Sequence, residues 1–328
     1  MKINNYNNTA QIYNKKSPQN TCAFKGHLKY EKIMHDGVKL LLRKETALYR
    51  NIETKNFVID YISKFFSNQP QIKMVVAGCS TGEEAFSYSM LLNKFKDKLS
   101  ILGFDLSKNS IADANSRKIT IQTKKNKINP ILEEHIYKYL EFQNDTFLIS
   151  NTRNNLSHTE QAYKKLFDEF FELSDAKIKE PFFAKLKRLY LQITTKAQLP
   201  QYEFKTATLK KNKCTNCTFK TGDIMKLKET LNGEKADIIT FSNAMYHLIT
   251  EEKFGIRYPK SNAEEIIKKL AQNVKDNLNP NGIFVLGEKE FEQTLDSVTV
   301  EKVFKEMGFR PLNKTTEHSA NVYQLLAL

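Results

Sequence analysis

The stretch Ile72–Asp105 constrains the fold of this chain more than any other. An apolar run, Ile72–Ala77, leads straight into Gly78-Cys-Ser-Thr-Gly82. An amphipathic segment follows over Glu83–Phe95, with Ala85, Phe86, Tyr88, Met90, Leu91 and Leu92 on its apolar side, and then a second apolar run, Leu99–Phe104. Strand, small-residue turn, helix and strand in this order make a parallel unit with a crossover helix. The alternation continues downstream. Ser107–Ser116 reads as a helix, Ala236–Phe241 as a strand and Asn262–Leu278 as a long helix. Gly282–Leu286 reads as a strand after the turn Asn279-Pro-Asn-Gly282, Val298–Met307 as a helix and Ala320–Leu326 as a last strand. Strands alternating with helices predict an α/β fold of Rossmann-like type, with a mostly parallel sheet, helices on both faces and a helical insertion.

The rest of the chain divides around this core. Residues 1–28 are rich in Asn and carry no acid, and they read as a flexible tail. Residues 29–68 read as an N-terminal helical element, with Ile33, Val38, Leu40, Leu41 and Leu42 followed by Leu48, Phe57, Ile59, Ile62, Phe65 and Phe66. Residues 69–328 form the main domain, interrupted by a helical cap at about 120–213. Within that cap Ile131–Phe142, Ser157–Phe171 and Ala176–Thr195 look helical and Thr146–Ile149 strand-like. The Phe-rich segments Leu166–Phe171 and Phe182-Phe183 read as cap core. At 328 residues the chain is long enough to bury a large core, and with 40% hydrophobic and 27% charged residues it is globular. No apolar run approaches the length of about 20 residues that a membrane-spanning helix needs, and no signal-peptide core opens the sequence. Four Cys are no disulfide framework. These features predict a cytoplasmic protein without membrane insertion.

The net charge is +14, from 51 Lys+Arg against 37 Asp+Glu. Lysines are spread along the whole chain, which fits a compositional bias, but Arg117, Lys118, Lys124, Lys125 and Lys127 form an acid-free run that could line a groove for an anionic partner. Cys214-Thr-Asn-Cys217 is a CxxC without a second ligand pair in sequence, so no metal is expected there.

The turn Val75-Val-Ala-Gly-Cys-Ser-Thr-Gly-Glu-Glu-Ala85 carries the chemistry. Ala77, Gly78 and Gly82 let a ligand approach the backbone. No lysine is present to hold a triphosphate, and paired acids would repel one. A ligand bearing an ammonium group fits better. S-adenosylmethionine carries an α-ammonium and a sulfonium, and one of the loop carboxylates can bind the ammonium. Gly103-Phe-Asp105 ends the next strand with an acid placed to accept ribose hydroxyls.

Ala-Gly-Cys-Ser-Thr-Gly-Glu-Glu followed by Gly-Phe-Asp resembles the chemotaxis receptor methyltransferases, the CheR family, which methylate glutamate side chains from S-adenosylmethionine. Thr46-Ala-Leu-Tyr-Arg50 resembles that family's Thr-x-Phe-Phe-Arg element. Phe219-Lys-Thr-Gly-Asp-Ile-Met225, the strand Asp237–Asn243 with Tyr246-His247, and Leu278-Asn-Pro-Asn-Gly282 to Leu286-Gly-Glu288 resemble later family segments. The likeness covers roughly 44–150 and 204–327. It implies that S-adenosylmethionine is the cofactor and S-adenosylhomocysteine the product, bound by Thr46, Arg50, Ala77, Gly78, Glu84, Asp105, Asp223, Ile224, Ser242 and Asn243. Glu84 would take the methionine ammonium, Asp105 the ribose, and Asp223 and Ile224 the adenine. Arg50, Tyr246 and His247 would face the methyl acceptor. Substrate-side positions depart from the family: Ser242 replaces an Arg, His247 stands where a Tyr is expected and Lys44 where an Asn is. The implied function is transfer of a methyl group to a protein carboxylate, on a partner that could be acidic. The alternatives are methylation of a nucleic acid or a small molecule, or a binding module that holds the cofactor without turnover.

Overall fold

In a computed structural model, residues 30–35, 38–43, 48, 52–124, 165–175, 202–242, 244–253, 256–287, 297–312 and 322–326 are described. All belong to one compact unit made of 29–177 and 200–328. The expected tail 1–28 lies outside the described residues, as do the expected elements at 131–149 and 176–195 and the pair Phe182-Phe183.

Seven strands form the central sheet. In chain order they are β3 (Ile72–Ala77), β4 (Leu99–Asp105), β8 (Cys217–Thr221), β9 (Ala236–Phe241), β12 (Leu278–Leu286), β13 (Phe309–Pro311) and β14 (Val322–Leu325). Their spatial order is β13-β14-β12-β9-β3-β4-β8. Pairing is parallel from β12 to β8, and β14 runs antiparallel to both β12 and β13. The chain leaves β3 toward β4 and β8, then returns to β3's other side to lay down β9. That reversal opens a crevice at the carboxyl ends of β3 and β9, where sheets of this kind bind ligands.

Strand side chains divide between two cores by alternation. Met74, Val76, Ile283 and Val285 face one side, with Phe86, Tyr88 and Met90 of α2 (Glu83–Leu91) and Val58 of α1 (Ile52–Tyr61). Val75, Ala77, Phe284 and Leu286 face the other. There they meet Ile267, Leu270, Ala271 and Val274 of α6 (Ala263–Asn277) and Val300, Val303 and Phe304 of α7 (Ser297–Glu306). Burial on both faces is why these strands read as unbroken apolar runs. The described residues also include α3 (Lys108–Ser116), α4 (Leu227–Thr230), α5 (Met245–Ile249) and an antiparallel pair, β10 (Thr250–Lys253) and β11 (Ile256–Pro259).

Three expectations are corrected. The helical reading of 29–68 holds only from Ile52, where α1 continues into a wider π-type turn over Ile62–Phe66. Before it, β1 (Tyr30–His35) and β2 (Val38–Arg43) form an antiparallel hairpin in which His35 pairs with Val38. The register leaves Asp36-Gly37 as the connection, and Asp-Gly is a strong hairpin signal that outweighs the Leu40-Leu41-Leu42 run. Second, the described part of the cap is largely strand. β5 (Lys118–Lys124), β7 (Tyr202–Leu209) and β6 (Phe171–Asp175) form an antiparallel sheet in the order β5-β7-β6. A helical stretch at 165–170 precedes β6, and Phe167, Phe170 and Phe171 are buried in the α2-side core, with Phe167 stacked on Phe171. Third, the turn expected at 279–282 is a bulge within β12, between Leu278 opposite Ala236 and Ile283 opposite Ile238.

At the amino ends of the strands one carboxylate ties three of them together. Asp237, 6% exposed, accepts the Lys73 N–H on Oδ2 at 2.7 Å and the Asn279 side-chain amide on Oδ1 at 2.8 Å. Asp237→Ala would orphan both donors. Chemical denaturation should show a loss of about 1–3 kcal/mol, and an unchanged midpoint would contradict this role.

Candidate functional site

The crevice begins at the turn after β3, whose backbone adopts left-handed conformations at Gly78 (φ 65°), Ser80 (φ 49°) and Gly82 (φ 93°). Gly78 is needed for space as well as φ: a Cβ there would lie 3.1 Å from the Ala244 Cβ and 3.4 Å from the Phe241 ring. The turn is pinned from the neighbouring strand. Asp105 accepts the Ser80 N–H on Oδ2 and the Ser107 N–H on Oδ1, both at 2.9 Å, and the Cys79 N–H donates to the Phe104 carbonyl at 3.0 Å. The Gly222 N–H donates to the Asp105 carbonyl at 3.0 Å, which brings the end of β8 and Asp223 alongside.

Five of the residues singled out from the sequence, Ala77, Gly78, Glu84, Asp105 and Ser242, come together around this turn. Ala77 ends β3, Gly78 opens the turn, and Asp105 clamps it. Glu84, in the first turn of α2, accepts a hydrogen bond from the Ser242 hydroxyl at 2.9 Å, across 158 positions of sequence. Glu83 is differently employed. It is buried, and both its oxygens accept from the Thr81 hydroxyl, at 2.8 and 2.6 Å. Thr81 therefore holds Glu83 against the loop, a pairing the sequence reading missed although the Thr-x-Glu spacing was visible.

Asp223 accepts the Met225 N–H on Oδ1 at 2.8 Å and so caps the short 3-10 turn Ile224–Lys226. Ile224 is packed into the α6-side core, so its presentation to a ligand is slight. Tyr246 and His247 lie on α5, half-buried, their rings 4.0 Å apart and tilted by 40°. Their helix starts at the Ala244 that abuts Gly78. Thr46, Arg50, Asn243 and Lys44 lie outside the described residues.

Two features of the site carried weaker sequence signals. Gly103, read as part of the Gly-Phe-Asp motif, makes room for a side chain. A Cβ on it would fall 2.5 Å from the Phe219 ring, which packs edge-on against Phe86 with centroids 5.3 Å apart. Lys55 of α1 is buried with its ammonium 5.1 Å from the centre of the Tyr88 ring, a cation–π contact that joins α1 to α2.

The electrostatics of the turn are negative. Burial pushes the Cys79 thiol well up, and Asp105, Glu83 and Glu84, in that order, push it further. Burial and then Glu84 do the same to the Tyr88 hydroxyl. Three carboxylates thus act on one loop in a chain of net charge +14, which suits a cationic ligand. The groups fit S-adenosylmethionine: carboxylates for its ammonium and ribose, a glycine turn that admits it closely, and a buried Ser80 hydroxyl that has no hydrogen-bond partner among the described residues.

Arg117, part of the basic run, ends α3 in a left-handed conformation and donates to the Lys213 carbonyl. Cys214 and Cys217 are buried free thiols, and among the described residues no cluster of three or more His, Cys, Asp or Glu could hold a metal. A depression of about 430 Å³ at the opposite edge of the sheet includes Lys73, Glu234, Asp237 and Asn279, whose polar groups already bind one another. Among the described residues no helix is long and apolar enough to cross a membrane.

Residues 44–165 match the family model described as CheR methyltransferase, SAM binding domain, and residues 203–326 match one described as a methyltransferase domain. No curated protein matches the chain. Among solved structures, the CurJ carbon methyltransferase is 12% identical with a TM-score of 0.39, over 85% of this chain and 57% of that one. The DszA carbon methyltransferase is 13% identical with a TM-score of 0.39, over 84% and 55%. The N-methyltransferase NodS from Bradyrhizobium japonicum WM9, in complex with S-adenosyl-L-homocysteine, is 10% identical with a TM-score of 0.35, over 84% and 88%. The chain spans little more than half the length of the first two.

Burial gives a direct check on the site's thiols. Cys214 is pushed up to about 11, chiefly by burial, and Cys79 and Cys217 rise for the same leading reason. In a Cys22→Ser background, Ellman's reagent at pH 8 should label the native protein slowly and the denatured protein at once. Unfolded thiols ionise near the ordinary value of 9.0 while the folded ones stay protonated. Stability should therefore fall as pH rises from there toward about 11. Fast native labelling would contradict this packing. The sheet order, the clamped turn and the two family matches establish a Rossmann-like methyltransferase fold whose cofactor is S-adenosylmethionine.

Proposed function

We propose that the chain is an S-adenosylmethionine-dependent methyltransferase whose acceptor is a side-chain carboxylate, glutamate by preference, on a protein. The observation that carries the reading is the set of three carboxylates, Glu83, Glu84 and Asp105, acting on the Cys79 loop at the sheet's switch point. The match of residues 44–165 to the CheR model supports the acceptor class.

Bound there, S-adenosylmethionine supplies a methyl group made electrophilic by the sulfonium. The chain's own residues have four tasks. Glu84, already oriented by Ser242, holds the ammonium by a charge-assisted hydrogen bond. Asp105, which accepts the Ser80 and Ser107 N–H groups, stands at the end of β4 where it would meet the ribose hydroxyls. Asp223 borders the adenine, with Ile224 packed in the core behind it. Arg50, Tyr246 and His247 orient the acceptor and keep water out.

A carboxylate acceptor is already ionised at neutral pH and needs no base. The acceptor oxygen would take the methyl group directly, so the chain's residues need only hold acceptor and cofactor in line and exclude water. His247 would act as a base only if the acceptor were an amine or hydroxyl.

The test is incubation with tritium-labelled cofactor and a protein lysate, followed by treatment with base. A methyl ester releases volatile methanol, so base-labile label on protein is the expected result. Glu84→Gln should reduce incorporation at low cofactor concentration by about tenfold or more. Label that survives base, or label on nucleic acid or small molecules, contradicts the carboxylate acceptor. No incorporation at all contradicts turnover and favours a module that only binds.

A further inference from the structure

We propose that Cys214 and Cys217 are an oxidative modification site, whose two thiols close to an intramolecular disulfide in the folded protein when a low-molecular-weight disulfide such as oxidised glutathione reaches them. The site depends on neither the cofactor nor the methyl acceptor. Both side chains are buried, at 5% and 8% exposure, and both are free thiols. The Cys217 N–H donates to the Cys214 carbonyl at 3.2 Å, so the two residues are the ends of one four-residue turn. The ends of such a turn have Cα atoms less than about 7 Å apart, and a disulfide spans about 4.4–6.8 Å. The thiols also share their surroundings. The Ser89 hydroxyl and the Arg117 guanidinium act on both of them, and Cys214 acts on Cys217.

The fold holds the turn firmly and the sulfurs loosely. Asn216, between the two cysteines, is anchored three times. Its carbonyl accepts the Ile101 N–H at 2.8 Å, its side-chain amide donates to the Leu99 carbonyl at 3.1 Å, and its Oδ1 accepts the Ser89 hydroxyl at 2.6 Å. Arg117 donates to the Lys213 carbonyl on the turn's other flank. By contrast, the Cys217 thiol makes a 3.7 Å contact with the Ala85 carbonyl, and a thiol is a weak donor. Closing the disulfide therefore asks for side-chain rotation and little from the backbone. Cys214 reacts first. Burial raises it to about 11, with Ser89, Arg117 and Lys213 acting against the rise, whereas burial and Cys214 raise Cys217 further. The Cys214 sulfur attacks one sulfur of the small disulfide, whose S–S bond breaks and releases one small thiol. Cys217 then attacks the Cys214 sulfur of the mixed disulfide and releases the second. Two protein thiols are oxidised, one small disulfide is reduced, and the two protons leave on the released thiols. Burial makes the exchange slow, as it does the labelling by Ellman's reagent.

The test uses the full chain in a Cys22→Ser background, equilibrated without denaturant in excess oxidised glutathione. The remaining thiols are then alkylated in denaturant and the protein is digested with trypsin. Both cysteines fall in the peptide Cys214–Lys220. The expected result is that this peptide loses two hydrogen atoms, carries neither alkyl group nor glutathione, and regains both thiols after dithiothreitol. Near-UV circular dichroism of the oxidised protein should match that of the reduced protein. Cys217→Ser should instead trap glutathione on Cys214. A peptide that stays fully alkylated overturns the proposal, as does one that carries glutathione on both cysteines. A disulfide that appears only in urea, or only with loss of the near-UV signal, overturns it as well.

Discussion

The Asp105 carboxylate holds together the end of the sheet on which everything else depends. One oxygen receives the N–H of Ser80, in the turn after β3, and the other that of Ser107, in the turn after β4. A charged acceptor makes these bonds stronger than neutral ones. They fix two neighbouring turns against each other, and the left-handed backbone at Gly78, Ser80 and Gly82 follows from that fixed position. Glu84 then stands at the start of α2 where it meets Ser242 from the far side of the crevice. One side chain thus sets the geometry of a site whose parts come from positions 78 to 242.

The same clamp concentrates negative charge. The chain carries an excess of 14 positive charges, yet the loop around Cys79 is surrounded by acids. All three have partners close at hand, Glu83 in Thr81, Glu84 in Ser242 and Asp105 in backbone N–H groups. The helix amino terminus eases the cost of two successive acids there. What remains is a shallow excess of acceptors with few donors, an environment matched to a cationic nucleoside and poorly matched to a phosphate. Lys55 of α1 is buried with its ammonium against the Tyr88 ring, where it joins two helices.

Much of this was legible in the sequence, for identifiable reasons. Parallel strands buried on both faces show as unbroken apolar runs, so β3, β4, β9 and the end of β12 were found nearly to the residue. The Gly-rich turn and Asp105 were legible because their chemistry sits at strand ends in a fixed order. The hairpin before α1 was missed because three leucines in a row mimic a helix face, while the two-residue Asp-Gly signal lies outside them. The sheet in the cap was missed because β7 and β5 are far apart in sequence, with Lys118 pairing with Thr208, and no local period announces such a partner. Gly103 stood out only as the first residue of the Gly-Phe-Asp motif; what needs it is the Phe219 ring, a contact between strands that spacing along the chain cannot show.

The most direct measurement is a crystal structure grown with S-adenosylhomocysteine. The account predicts density across the carboxyl ends of β3, β4 and β8, with the ribose at Asp105 and the amino group at Glu84. Density elsewhere, or a Ser242–Glu84 pair closed over an empty crevice at saturating ligand, would contradict it.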